Sequence, residues 1–122
     1  MDARTQQLLD RTFNFGVEVL KFLATLPPND MFRVAKYQLA KASTSIGSNY
    51  EEAQAAESKQ DFSHKVGISL KEARESHYWL RMIYALLSDS KRDNVLNHLV
   101  DEAAELKNIF GTIRLSSRQS KH

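Results

Sequence analysis

Phe32, Ala35, Leu39, Ala42, Ile46, Asn49, Ala53 and Ala56 recur in strictly alternating steps of three and four. That spacing keeps one stripe on one side of a helix and matches the 3.5-residue repeat of helices packed side by side. It excludes a strand, whose faces alternate at every second residue. A helix over residues 30–57 would be a rod of about 42 Å at about 1.5 Å per residue. Its apolar stripe needs partner helices along most of that length.

The remaining chain supplies them. Over residues 4–25, Leu8, Thr12, Phe15, Val19, Phe22 and Leu26 form one seam, and Leu9, Phe13, Gly16, Leu20 and Leu23 form another beside it. A helix apolar around so much of its circumference is either central or at a subunit contact. Pro27-Pro28 closes this segment, because proline lacks the amide donor and restricts the residue before it. Ser58 to Asp61 reads as a capping box opening a third helix over 59–88, with Phe62, Val66, Ala73, Leu80 and Leu87 inward. Ile68, Trp79, Met82 and Leu86 make a separate apolar patch on it. Ser90 to Asp93 repeats the capping pattern before a fourth helix over 92–115, with Leu96, Leu99, Ala103, Leu106, Phe110 and Ile113 inward. Short connections predict an all-α, antiparallel up-down-up-down four-helix bundle spanning 1–115. Residues 116–122 read as a flexible basic tail.

A chain of 122 residues has room for one such domain. With no cysteine there is neither a disulfide framework nor a thiol nucleophile. The N-terminal residues mix charges of both signs before the first apolar run, unlike a signal peptide, and no apolar run reaches the roughly 18 residues of a membrane span. A cytoplasmic protein without a membrane role is expected. The balance of 17 Lys+Arg against 15 Asp+Glu, net +2, does not by itself demand a nucleic-acid partner.

Catalytic and metal chemistries find no support in the motifs. A di-iron bundle needs two E-x-x-H pairs and two further inward carboxylates; the nearest approach is Asp61-x-x-His64, at a helix start. There is no G-x-S-x-G elbow, and no Walker or dinucleotide glycine pattern. No enzyme, cofactor or metal is expected.

Two features depart from a bland core. Asn49 occupies a seam position, where an unpaired amide is costly. Ser45 and Glu52 share its face, and Glu72 and Glu75 on the next helix are placed to meet them in a polar network that fixes helix register. A small-ligand pocket there is the alternative. Gly47 costs about 1 kcal/mol of helix propensity relative to alanine, and with Ala40 and Thr44 it leaves a face of little bulk, suited to close approach by another helix. Phe13, Gly16, Leu20, Gly47, Trp79 and Met82 are the expected oligomer contacts. Arg81, Lys91, Arg92, Arg114, Arg118 and Lys121 are the expected contacts to nucleic acid, and no acidic residue follows Glu105 to balance the last three.

The run S-I-G-x-N-x-x-E-A from Ser45 to Ala53, then A-E-S-K-x-D-F-x-H-K from Ala56 to Lys65, then L-K-E-A-R-E-S-x-Y-W-L from Leu70 to Leu80, closely resembles the four-helix-bundle proteins encoded by intervening sequences in bacterial 23S ribosomal RNA genes. The resemblance is densest over Ser43 to Leu87. It implies a small bacterial bundle without established catalytic activity that assembles into homo-oligomers, a pentameric ring being favoured. A related group, the accessory proteins of diversity-generating retroelements, is strongly basic and binds nucleic acid and a reverse transcriptase. The net charge of +2 departs from that group. Together these readings predict a non-enzymatic homo-oligomeric bundle that binds structured, ribosomal-type RNA or a nucleoprotein. The alternative is a protein-binding adaptor or scaffold with no nucleic-acid role.

Overall fold

The computed structural model describes residues 1–119, and Lys121 lies outside them. Among the described residues there are four long helices and no strand: α1 (Ala3–Leu23), α2 (Asp30–Gln54), α3 (Lys59–Leu86) and α4 (Asn94–Gln119), with one 3₁₀ turn at Asp89–Lys91 before α4. Each helix packs on its neighbours in sequence and α4 returns to α1, while α1 and α3, and likewise α2 and α4, lie diagonally opposite with their backbones apart. That is the antiparallel up-down-up-down four-helix bundle its apolar periodicity predicts.

Local chemistry sets the ends. Asp2 accepts from the Thr5 amide at 2.8 Å and caps α1. The Ser58 hydroxyl accepts from the Asp61 amide at 3.0 Å, and the Asp61 carboxylate accepts from the Glu57 amide at 3.2 Å. This capping box starts α3 one residue after Ser58. The fourth helix differs from expectation. Ser90 falls inside the 3₁₀ turn, and Asp93 caps α4 by accepting from the Leu96 amide at 2.9 Å. At its other end α4 runs on to Gln119, past the predicted end at 115. There the Ser117 hydroxyl donates to Ser63 on α3 at 3.0 Å.

Phe15, Val19, Leu39, Ile46, Val66, Leu80, Leu99, Leu106 and Phe110 form the centre of the core, each 1 % exposed or less. One seam position is corrected. Asn49 is only half-buried, and Tyr50, 5 % exposed, takes the inward place. An α-helix has 3.6 residues per turn, so a strict 3.5-residue seam drifts round it. Two successive steps of four, from Ala42 to Ile46 to Tyr50, restore the phase. The Tyr50 ring then meets Phe110 edge-on across the bundle diagonal, with centroids 5.3 Å apart.

The interfaces differ in chemistry. Between α2 and α3, small residues (Ser43, Ser69, Ala73, Ser76) are fully buried, and the Ser69 hydroxyl donates to the Ile46 carbonyl at 2.9 Å. The Ser76 hydroxyl, equally buried, has no hydrogen-bond partner among the described residues. An unsatisfied buried hydroxyl is costly, so Ser76→Ala is expected to raise stability by about 1 kcal/mol in urea titrations, whereas Ser69→Ala lowers it by a similar amount. Between α1 and α4, Arg11 grips both oxygens of Glu102 at 2.6 and 2.7 Å and reaches Glu105 at 2.8 Å. Hydrogen bonds to these carboxylates raise the Arg11 pKa further.

Candidate nucleic-acid interface

The acidic side chains are engaged mainly away from one groove, that between α3 and α4. Glu102 and Glu105 turn toward α1 to hold Arg11, and Glu18 meets His98 at 3.3 Å across the same seam. Asp61 pairs with Lys65 along α3. Glu72 lies on the flank of α3 that faces α2, where Lys41 acts on it.

The α3–α4 groove has the opposite character. Seven-residue steps on α3 place Gly67, Arg74 and Arg81 along one flank, and steps of seven and four on α4 place Lys107, Arg114 and Arg118 along the other. Among the described residues, none of these five cations forms an ion pair with Asp or Glu. His77 lies between them. Its pKa is lowered from the ordinary 6.5, first by burial and then by repulsion from Lys107 and Arg81. Asp101 is an acid at this groove, lining its lower end with Arg81, Tyr84 and Asn97.

Arg114 is held in an unusual way. A Cβ placed on Gly67 would sit 1.7 Å from its Nη1 and 2.6 Å from its Cζ. The guanidinium therefore lies against bare α3 backbone that only glycine leaves open. Its Nε is buried without an acceptor among the described residues, a cost that an exposed rotamer would avoid.

The lowered His77 pKa has a consequence for stability. Neutral imidazole is the form the fold prefers, so the cost of charging it is absent above about pH 6.5 and develops as pH falls through that value toward the lower folded one. His77→Gln is expected to remove this component from a plot of melting temperature against pH.

Of the residues singled out from sequence, Arg81, Arg114 and Arg118 share this groove. Lys91 and Arg92 do not: they belong to the turn before α4. There Arg92 donates to the Tyr84 carbonyl at 2.9 Å, pairs with Asp89, and covers the Tyr84 ring at 4.2 Å. Arg74, His77 and Lys107 join the groove without having been singled out, although the heptad step from Lys107 to Arg114 and the one-turn step from His77 to Arg81 are legible in the sequence. Among the described residues, no hydrogen bond of the expected polar network crosses the hairpin. The Asn49 amide donates to the Ser45 carbonyl on its own helix at 2.8 Å, and Glu52 is exposed. Glu72 and Glu75 do lie close enough to repel, which with burial raises the Glu72 pKa.

The expected oligomer contacts also divide. Phe13 is 67 % exposed and Leu20 46 % exposed, flanking a groove floored by Gly16 and Gly47. These two glycines serve the α1–α2 crossing within the chain. A Cβ on Gly47 would lie 3.0 Å from the Thr12 hydroxyl, and one on Gly16 would lie 3.4 Å from the Ser43 carbonyl oxygen. Trp79 packs against the core and edge-on to Tyr78, and Met82 is half-buried. Both stand on α3, diagonally opposite α1, so they are not part of the Phe13–Leu20 face.

Among the described residues no three His, Asp or Glu side chains come together as a metal site, and no helix is long and apolar enough to cross a membrane. The fold is a helical bundle, and among the described residues five Lys and Arg lie along its α3–α4 groove. The chain belongs to the 23S rRNA-intervening sequence protein family, whose model matches residues 4–111. It is similar to a crystal structure of a protein of unknown function from the S23 ribosomal protein family of Bacteroides thetaiotaomicron. The two share 26 % identity with a TM-score of 0.78, over 90 % of this chain and 96 % of that one. No curated protein gives a significant match.

Proposed function

We propose that this chain is a non-enzymatic, self-associating bundle that binds structured RNA of ribosomal type through its α3–α4 face. The observation that carries this reading is the segregation of charge. Glu18, Glu102 and Glu105 are drawn into the α1–α4 seam, and among the described residues Arg81, Lys107, Arg114 and Arg118 form no ion pair with Asp or Glu in the α3–α4 groove. A net charge of only +2 is then compatible with phosphate binding, because Arg74, Arg81, Lys107, Arg114 and Arg118 line one groove. The family's description, naming 23S rRNA, agrees with that chemistry. Self-association multiplies a modest groove, since several copies on one RNA act at high effective concentration.

The exposed Phe13, Leu20 and Tyr37 on the α1–α2 side support self-association, with a five-membered ring as the assembly implied by the resemblance. The same apolar face favours a second reading, an adaptor docking another polypeptide. Retention of a ribosomal RNA hairpin by the purified protein decides between them. The RNA reading predicts binding that weakens steeply with salt through counterion release. Absence of binding at low salt, with nuclease-resistant partners in a bacterial lysate, would favour the adaptor. Light scattering at micromolar concentration should show an oligomer, and a monomer would refute self-association.

A further inference from the structure

We propose that His77, Arg81 and Lys107 form a phosphate-binding notch midway along the α3–α4 groove, and that the notch takes up a proton when RNA enters. This rests on the RNA-binding reading above and assigns it a position and a pH response. His77 and Arg81 are one helical turn apart on α3, and Lys107 stands on the facing stretch of α4, between the Gly67–Arg114 contact and the Arg81–Asp101 end of the groove. Arg74, one turn before His77, extends the same flank. Asp101 reaches only the lower end of the groove, beside Arg81.

The charges acting on His77 are thus cationic from both helices of the groove. Lys107 and Arg81 hold its pKa below 6.5 together with burial. The helix α2 meets the other flank of α3, where Lys41 faces Glu72, and α1 lies diagonally opposite α3, their backbones apart. A phosphate placed among these three groups reverses the local field. Its negative charge favours imidazolium and screens it from Lys107 and Arg81. By linkage, whatever raises the His77 pKa on binding must strengthen binding as pH falls. A one-unit rise would be worth about tenfold in affinity. An acidic peptide would exploit the same charges less well, because the groove offers a line of cations rather than apolar pockets for anchoring side chains.

The test uses the full chain and a short ribosomal RNA hairpin, with affinity measured from about pH 8 to about pH 5.5, across the histidine range. Wild type should tighten several-fold on acidification. His77→Gln should abolish most of that gain, whereas His64→Gln and His98→Gln should keep it. Arg81→Gln/Lys107→Gln should flatten the plot of log affinity against log salt by about 2, roughly 1 for each phosphate no longer neutralised, with Arg33→Gln on α2 as the unchanged control. Arg81 is exposed, so Arg81→Gln alone, with an expected flattening of about 1, serves if the double variant does not fold. RNA binding whose pH response survives His77→Gln, or whose salt slope survives removal of the Arg81 and Lys107 charges, overturns the notch and leaves the RNA reading standing. No RNA binding at any pH overturns both.

Discussion

Phe110→Ala is expected to destabilise the bundle by about 3–5 kcal/mol, the range for deleting a buried aromatic ring. Phe110 is fully buried on α4, and its ring packs edge-on with Tyr50 from α2, the helix diagonally opposite. The backbones of these two helices lie apart. The substitution therefore removes a ring that bridges the bundle diagonal, and it opens a cavity that the four backbones cannot close by shifting one pair. Against a total of about 5–15 kcal/mol for a domain of ordinary stability, the loss is a large fraction. Urea unfolding followed by circular dichroism measures it. Tyr50→Phe keeps the edge contact and should cost much less; a loss of similar size from both would mean that packing of Phe110 is not the main term.

Gly47→Val should lower stability by about 2–3 kcal/mol, as overpacking typically does, although valine is the better helix former. The obstacle is backbone. A Cβ at 47 lies 3.0 Å from the Thr12 hydroxyl and 3.3 Å from the Thr12 carbonyl carbon. Alanine needs a shift of a few tenths of an ångström and regains up to about 1 kcal/mol of helix propensity, so Gly47→Ala should come out near neutral. The two further methyls of valine have no such escape, because α1 itself must move away. Equal effects of alanine and valine in the same unfolding assay would contradict this account of the α1–α2 crossing.

The two sites mark how far the sequence can be read. Gly47 announces a close approach through its poor helix propensity, and a helix does pass there. Whether that helix belongs to the same chain is not encoded in the spacing, because Phe13 and Leu20 beside it give the same apolar signal for a subunit contact. Asn49 misleads for a geometric reason. A strict 3.5-residue seam includes it, whereas the drift of a real helix hands the inward place to Tyr50. With Asn49 on the flank, its amide needs only the Ser45 carbonyl one turn back. The cationic groove is legible on each helix separately, as Arg74 to Arg81 and Lys107 to Arg114. Its significance depends on where the acids go. That Glu102 and Glu105 turn to Arg11, 91 and 94 residues away in sequence, is a fact of tertiary structure. Nothing local in the α4 sequence says which neighbour they face.

Amide resonances of the assembled protein, titrated with a ribosomal RNA hairpin at low salt, test the central claim most directly. Perturbations should concentrate on the α3 segment 67–84 and the α4 segment 100–118, and added salt should reverse them. Perturbations confined to α1 and α2, or none at RNA concentrations that saturate binding, would contradict an α3–α4 RNA face.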